Sequence, residues 1–162
     1  FQNTSSGQYA TALGLNSLAS NYAQLSHSAG EFAARGDAQV SNLIARGTTT
    51  NGTQTTLTLD GFANPAVPSG RVMAFIVRLV GKRTDSGTDV FHNTIQGTIA
   101  NNSGTTAIQG TNVTTTITNT SGTWSAVVEA DNAADELEVK VTGETGATIR
   151  WVASIELVEV AS

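Results

Sequence analysis

An all-β chain whose main body is an antiparallel sandwich is expected on three grounds. Thr is abundant, 25 of 162 residues, and favours strands, whereas Gly and Asn mark the turns between them. From Asp37 onward about eight strand-like segments are separated by Gly- or Asn-bearing turns. Glu136–Thr142 alternates cleanly, with Leu137, Val139 and Val141 inward and Glu136, Glu138, Lys140 and Thr142 outward. The expected architecture is a jelly-roll-like β-sandwich of about eight strands over residues 37–162. A short repetitive β stem over residues 1–36, packing as a homotrimer, is expected to precede it.

The stem shows loose internal repetition. Ser6-Gly7-Gln8-Tyr9-Ala10 recurs as Ala19-Ser20-Asn21-Tyr22-Ala23 and as Ala29-Gly30-Glu31-Phe32-Ala33, at intervals of 13 and 10 residues. Gly7, Gly14, Gly30 and Gly36 are scattered through it and no 3.6-residue stripe persists, so short strands with tight turns fit better than helix. Its large apolar residues are Phe1, Tyr9, Leu13, Leu15, Leu18, Tyr22, Leu25 and Phe32. Burying these returns less than the entropy lost by ordering the segment. The stem is therefore expected to be disordered or to pack against other copies, and its small residues favour copies. Ala29–Arg46 is the joint at which stem style gives way to strand style. Arg35-Gly36-Asp37 within it spells the integrin tripeptide, but Gly36 permits a turn there and the structural reading is preferred.

The head strands follow in order. Gln39–Arg46 and Gln54–Leu59 flank the Thr48–Thr53 turn region. Arg71–Lys82 is apolar on both faces and reads as a central strand buried on two sides, with Pro65 and Pro68 in the loop before it. After the turn Asp85-Ser86-Gly87 comes a strand around Val90–Ile99, then the turn Asn101–Gly104. Ala107–Asn119 follows, sparse in apolar residues like an edge strand. Trp124–Ala130 and Glu136–Thr142 lead through Gly143 and Gly146 to Thr148–Val160. That last strand sets Trp151, Ala153, Ile155 and Leu157 on one face. Val158 and Val160 fall on the other, predicting a bulge or a second buried surface.

Composition excludes several functions. Charged residues are 13% of the chain, well below the roughly 25% of ordinary domains. The net charge is −5, and from Ser121 onward eight acids face two bases, Lys140 and Arg150. Nucleic-acid binding needs a basic footprint that is missing. With no cysteine there is neither a disulfide nor a thiolate metal site. No apolar run approaches the roughly 18 residues of a membrane span, so no membrane insertion is expected. The N-terminus does not resemble a signal peptide and lacks Met, as a piece of a longer chain would.

Candidate site residues are few. Trp124 opens a strand after a turn and reads equally as core or as a sugar-stacking ring, whereas Trp151 reads as core. Phe91 and His92, just past the Asp85–Asp89 turn, are rim candidates, and Asp85 and Asp89 are the acids beside them. Asp85 with Asp89, or Glu129 with Asp131, could form a glycosidase pair, but carboxylates two or four apart near strand ends are usually a solvated face. His27 and His92 lie 65 positions apart without metal-ligand spacing, although a ring of His27 about a trimer axis could hold an ion. No catalytic residue, metal or cofactor is expected, since neither GxSxG nor GxxxxGK[ST] occurs. Arg78 interrupts the most hydrophobic strand and Arg150 begins the last, so each needs an acid from the same or a neighbouring chain.

The Ala/Ser/Gly/aromatic phrases leading into Gly36-Asp37-Ala38-Gln39 resemble the stem-to-head junction of bacteriophage tail fibres and tailspikes. The same stem style occurs in heads of trimeric autotransporter adhesins. Val141-Thr142-Gly143-Glu144 followed by Thr148-Ile149-Arg150-Trp151-Val152-Ala153 resembles the closing strands of phage fibre heads. The resemblance implies a homotrimer with a β-structured head that binds host cell-surface polysaccharide, lipopolysaccharide or another receptor, on the virion tail or, alternatively, a bacterial cell surface. The alternatives are a structural trimerisation or capping domain, and the C-terminal module of a polysaccharide-degrading tailspike.

Overall fold

The computed structural model describes residues 2–162; Phe1, counted above among the stem's apolar residues, lies outside them. The described chain is all-β. The stem carries β1 (Thr4–Ser5), β2 (Thr11–Leu15), β3 (Leu18–Ala19) and β4 (Leu25–Ala29). The head carries β5 (Ala38–Thr49), β6 (Thr55–Leu57), β7 (Arg71–Arg83), β8 (Val90–Asn101), β9 (Thr106–Asn119), β10 (Ser125–Asp131), β11 (Glu136–Thr142) and β12 (Ile149–Ala161). The eight strands from Ala38 onward fall where the sequence places them. They divide between a seven-stranded sheet ordered β2-β4-β5-β12-β7-β8-β9 and a three-stranded sheet ordered β10-β11-β6.

The core lies between these sheets. Leu43, Phe75, Val77, Leu79, Ile95, Ile155 and Leu157 of the large sheet meet Leu57, Val128, Leu137, Val139 and Val141 of the small one. β9 stands at the edge of the large sheet, as its sparse apolar pattern predicts. Opposite Gly97 its register slips, and Gly110, at φ 75°, provides the left-handed residue for the irregularity.

Two expectations are corrected. Arg71–Lys82 is not buried on two sides: residues of β7 alternate between core and an open outer face bearing Val72, Ala74, Arg78, Val80 and Lys82. The small sheet covers only one side of the large one, and none of the described residues covers the other. β12 has no bulge, since it pairs with β5 and β7 in unbroken register. Val158 and Val160 simply lie on the open face, 54% and 48% exposed.

The stem coils with a longer period than its aromatics imply. Thr4 pairs with Leu18 and Thr11 with Leu25, both in parallel, a constant offset of 14 residues. The left-handed residues Tyr9 (φ 60°) and Ala23 (φ 50°) repeat at the same offset. Tyr22 therefore matches Gln8, not Tyr9, and the two tyrosine rings meet edge to face at 5.5 Å. Matching aromatic to aromatic yields 13 because the conserved feature is the turn, not the ring. β4 then pairs antiparallel with β5 over Leu25–His27, joining stem to large sheet.

This junction is polar inside. Ser17 and Ser26 share a buried hydroxyl hydrogen bond of 2.6 Å, and Gln24 donates to Ser41 at 2.7 Å. Gln39 bonds the backbone of Leu18 in both directions at 2.9 Å and donates to Glu159 at 3.1 Å. Ser41 also donates to Glu159, whose other oxygen accepts from Arg71 at 2.5 Å. Serine hydroxyls and amides can fill a narrow interior only when each finds a partner, which is what this chain of bonds supplies.

Candidate functional site

Three rings cluster inside the sandwich. Phe91, on the core face of β8, meets Trp151 edge-on at 5.6 Å and is 1% exposed. Trp124, just before β10, meets Trp151 at 5.4 Å and is 3% exposed, and its Nε1 donates to Glu144 at 3.2 Å. Neither ring offers a face to a sugar, which corrects Phe91 as a rim candidate and leaves Trp124 with the core half of its reading. Phe91 and His92 cannot share a site, because neighbouring strand residues point to opposite faces. His92 stands half-exposed on the open face of β8, opposite Val80.

Asp85 and Asp89 converge on one guanidinium. Asp85 accepts from Arg83 Nε at 2.5 Å, from Gly87 N at 3.1 Å and from Thr148 N at 2.8 Å. The Arg83 hydrogen bond, helped by those from Thr148 and Gly87, lowers the Asp85 pKa to about 2. Asp89 lies 3.5 Å and Glu144 3.1 Å from the same guanidinium, whose pKa is raised chiefly by its hydrogen bond to Asp85. These acids tie the β7–β8 loop to the turn before β12. A cleft of about 530 Å³ lined by Lys82, Arg83, Thr84, Asp85, Gly87 and Thr88 borders them.

The other paired acids are similarly engaged. Glu129 bonds Lys140 at 2.9 Å, and Asp131 accepts from Ala133 and Ala134 in the turn after β10. Asp37 of the Arg-Gly-Asp string is buried, its carboxylate accepting from the backbone of Phe32, Ala33 and Ala34 at 2.7–2.9 Å. Hydrogen bonds from Ala34 and Ala33 lower its pKa. The tripeptide is thus built into a turn. His27 lines a groove of about 360 Å³ on the open face together with Ala38, Val40 and Val158. Among the described residues no group of three His, Asp or Glu is placed to hold a metal ion. Nor is any helix there long and apolar enough to cross a membrane. Arg78 finds an acid of its own chain, Glu156 at 3.7 Å, with both side chains largely in solvent.

A cleft lies at the end of the open face far from the stem. It encloses about 590 Å³ between Arg46, Gly47 and Thr48 of β5, Arg150, Trp151 and Val152 of β12, and Thr58 and Gly61 of the following loop. The loop reaches it because Thr58 and Arg46 exchange backbone hydrogen bonds of 2.9 and 3.2 Å, closing the free edge of β5. Asp60 then shapes the tip, its carboxylate accepting from Phe62 N at 2.8 Å and Ala63 N at 2.7 Å. Those bonds, Ala63 first, lower the Asp60 pKa. Phe62, next in the chain to the cleft residue Gly61, is 91% exposed. Sequence reasoning missed Arg46 and Phe62. The outward parity of Arg46 in its strand was a usable signal, but nothing local shows that loop and strand meet.

No protein-family model matches the sequence, and no curated protein matches it. Among solved structures the chain is similar to the tailspike protein of Acinetobacter baumannii phage AM24, at TM-score 0.43 and 11% identity over 90% of this chain and 30% of that one. It is also similar to the tailspike of Acinetobacter phage vB_ApiP_P1, at TM-score 0.30 and 9% identity over 76% of this chain and 22% of that one. The chain spans less than a third of the length of either.

Proposed function

We propose that this chain is a receptor-binding head of the phage tail-fibre kind, recognising host cell-surface glycan as a homotrimer on the virion tail. The carrying observation is the open cleft of Arg46, Thr48, Thr58, Gly61, Arg150 and Val152, with the exposed Phe62 following Gly61 in the same loop. Guanidinium and hydroxyl groups meet sugar hydroxyls there, and an exposed ring meets the apolar face of a pyranose. A shallow site of this kind binds weakly, and a millimolar Kd corresponds to only about −4 kcal/mol. Three copies raise effective affinity roughly 10²–10⁴-fold by avidity.

Trimer formation is supported by the stem-side half of the open face. Val160 lies opposite Val72 and Ala38, and Val158 opposite Ala74 and Val40, with Leu25 exposed nearby. Contact with other copies removes this apolar surface from water, and the stem's exposed Leu13 and Tyr9 with it. The same valines favour a second reading, a trimerisation or capping domain whose fibre binds elsewhere. Adhesion of the purified chain to encapsulated bacteria, with glycan-array binding, separates the two. Cell binding that Phe62→Ala weakens supports the receptor reading; a stable trimer that binds neither cells nor glycans overturns it.

A further inference from the structure

We infer that the Arg46–Arg150 cleft is selective for an acidic saccharide, a sugar unit bearing a carboxylate. This deepens the receptor reading and rests on it. On the open face Arg150 of β12 stands directly opposite Lys82 of β7, and Arg46 of β5 pairs with Val152, two residues along from Arg150. All three side chains are exposed. Like charges directly across a ladder repel, and in a chain of net charge −5 an acid at one of these positions would have been easy to supply. None is there. Among the described residues Arg71, Arg78, Arg83 and Lys140 all form ion pairs, whereas Arg35, Arg46, Lys82 and Arg150 form none; Arg35 lies far along the chain, its guanidinium donating to Thr4 and Gln2.

Nearby acids are already engaged. Asp85 is paired with Arg83 and Glu156 with Arg78, whereas Asp60 keeps its charge at the loop tip with its carboxylate turned to two backbone amides of its own turn. Arg46, Lys82 and Arg150 against the single Asp60 anion leave a net positive charge along the cleft wall. A guanidinium presents a planar fork that fits a carboxylate through two parallel hydrogen bonds. The residues around it suit the rest of a sugar: Thr48 and Thr58 for hydroxyls, Val152 and Phe62 for ring carbons. Three cations confined to one corner do not make the continuous track that a nucleic-acid backbone requires.

The test is an NMR titration of the intact chain with D-glucuronate, D-glucose, acetate and glucose 6-phosphate, following the Arg46 and Arg150 Nε–H and Phe62 ring signals. Glucuronate is expected to shift all three saturably in the millimolar range. Glucose should respond at least about tenfold more weakly, and added salt should weaken the glucuronate response. In Arg46→Gln/Arg150→Gln, where only the Phe62 ring signals can be followed, glucuronate should no longer shift them and Tm should not fall. Equal response to glucose or acetate, or no saturable shift with glucuronate, overturns the inference; a stronger response to glucose 6-phosphate overturns the choice of carboxylate. If light scattering shows that the double variant dissociates copies, the cations serve an interface and the inference falls. Cell adhesion separates the two levels: a double variant that adheres like the parent leaves the receptor reading standing and removes the acidic sugar, while a parent that adheres to no bacterium removes the receptor reading.

Discussion

The indole of Trp151 lies across Gly81, its registered neighbour on β7, so closely that a Cβ at position 81 would stand 2.4 Å from the ring. The glycine is a space requirement of the three-ring cluster at the stem-distal end of the core. Gly81→Ala is expected to cost about 1–3 kcal/mol through overpacking, read as a lower urea midpoint. Gly52→Ala, whose added carbon meets nothing nearer than 3.9 Å, serves as the comparison and should change little. Equal midpoints for the two variants would contradict the packing.

Phe91 and Phe62 should separate stability from binding. Phe91→Ala empties a fully buried position and is expected to cost about 3–5 kcal/mol. Phe62→Ala removes a solvent-facing ring and should leave the urea midpoint unchanged while weakening adhesion to cells. A destabilised Phe62→Ala would show that the ring belongs to the fold.

Arg71 and Glu159 form a buried pair beneath the stem junction. Removing one partner strands the other, so Arg71→Met or Glu159→Gln should each lose about 3–5 kcal/mol. Arg71→Met with Glu159→Gln should cost less than the sum, since no unpaired charge remains. Additive losses in urea titrations would show that the pair is not coupled.

Acid should loosen the Asp85 loop in a defined window. The folded pKa of about 2 lies below the ordinary 3.8, so the anion's contribution is present above pH 3.8 and is lost as pH falls through about 2. Between those values Tm of the parent should fall more steeply than that of Asp85→Asn, which has no such proton to bind. Parallel curves would remove the role assigned to this carboxylate.

Val158→Asp with Val160→Asp places two charges on the open face near the stem, on a strand whose core face is untouched. Light scattering should then give a mass near 16.7 kDa in place of about 50 kDa, three times that value. A parent that is already monomeric would sink the trimer reading.

Turn residues and apolar runs made all eight head strands readable, and period-two alternation fixed the core face of some: Leu137, Val139 and Val141 announce β11 without reference to a partner. The thin pattern of β9 announced an edge, and the apolar face of Thr148–Val160 announced Trp151 as core. Alternation cannot say which strands become neighbours, since pairing joins residues far apart in the chain. Arg150 meets Lys82 across 68 positions, and Arg46 joins them from a third strand. The stem's 14-residue offset was hidden because backbone turns repeat there while the aromatics do not. Whether the second face of β7 is covered depends on how many strands the opposing sheet holds and where they lie. A strand's own residues carry its two faces; only the assembled sheets bring Arg46, Lys82 and Arg150 to one corner, bury Trp124 and Phe91, and leave Val158 and Val160 open.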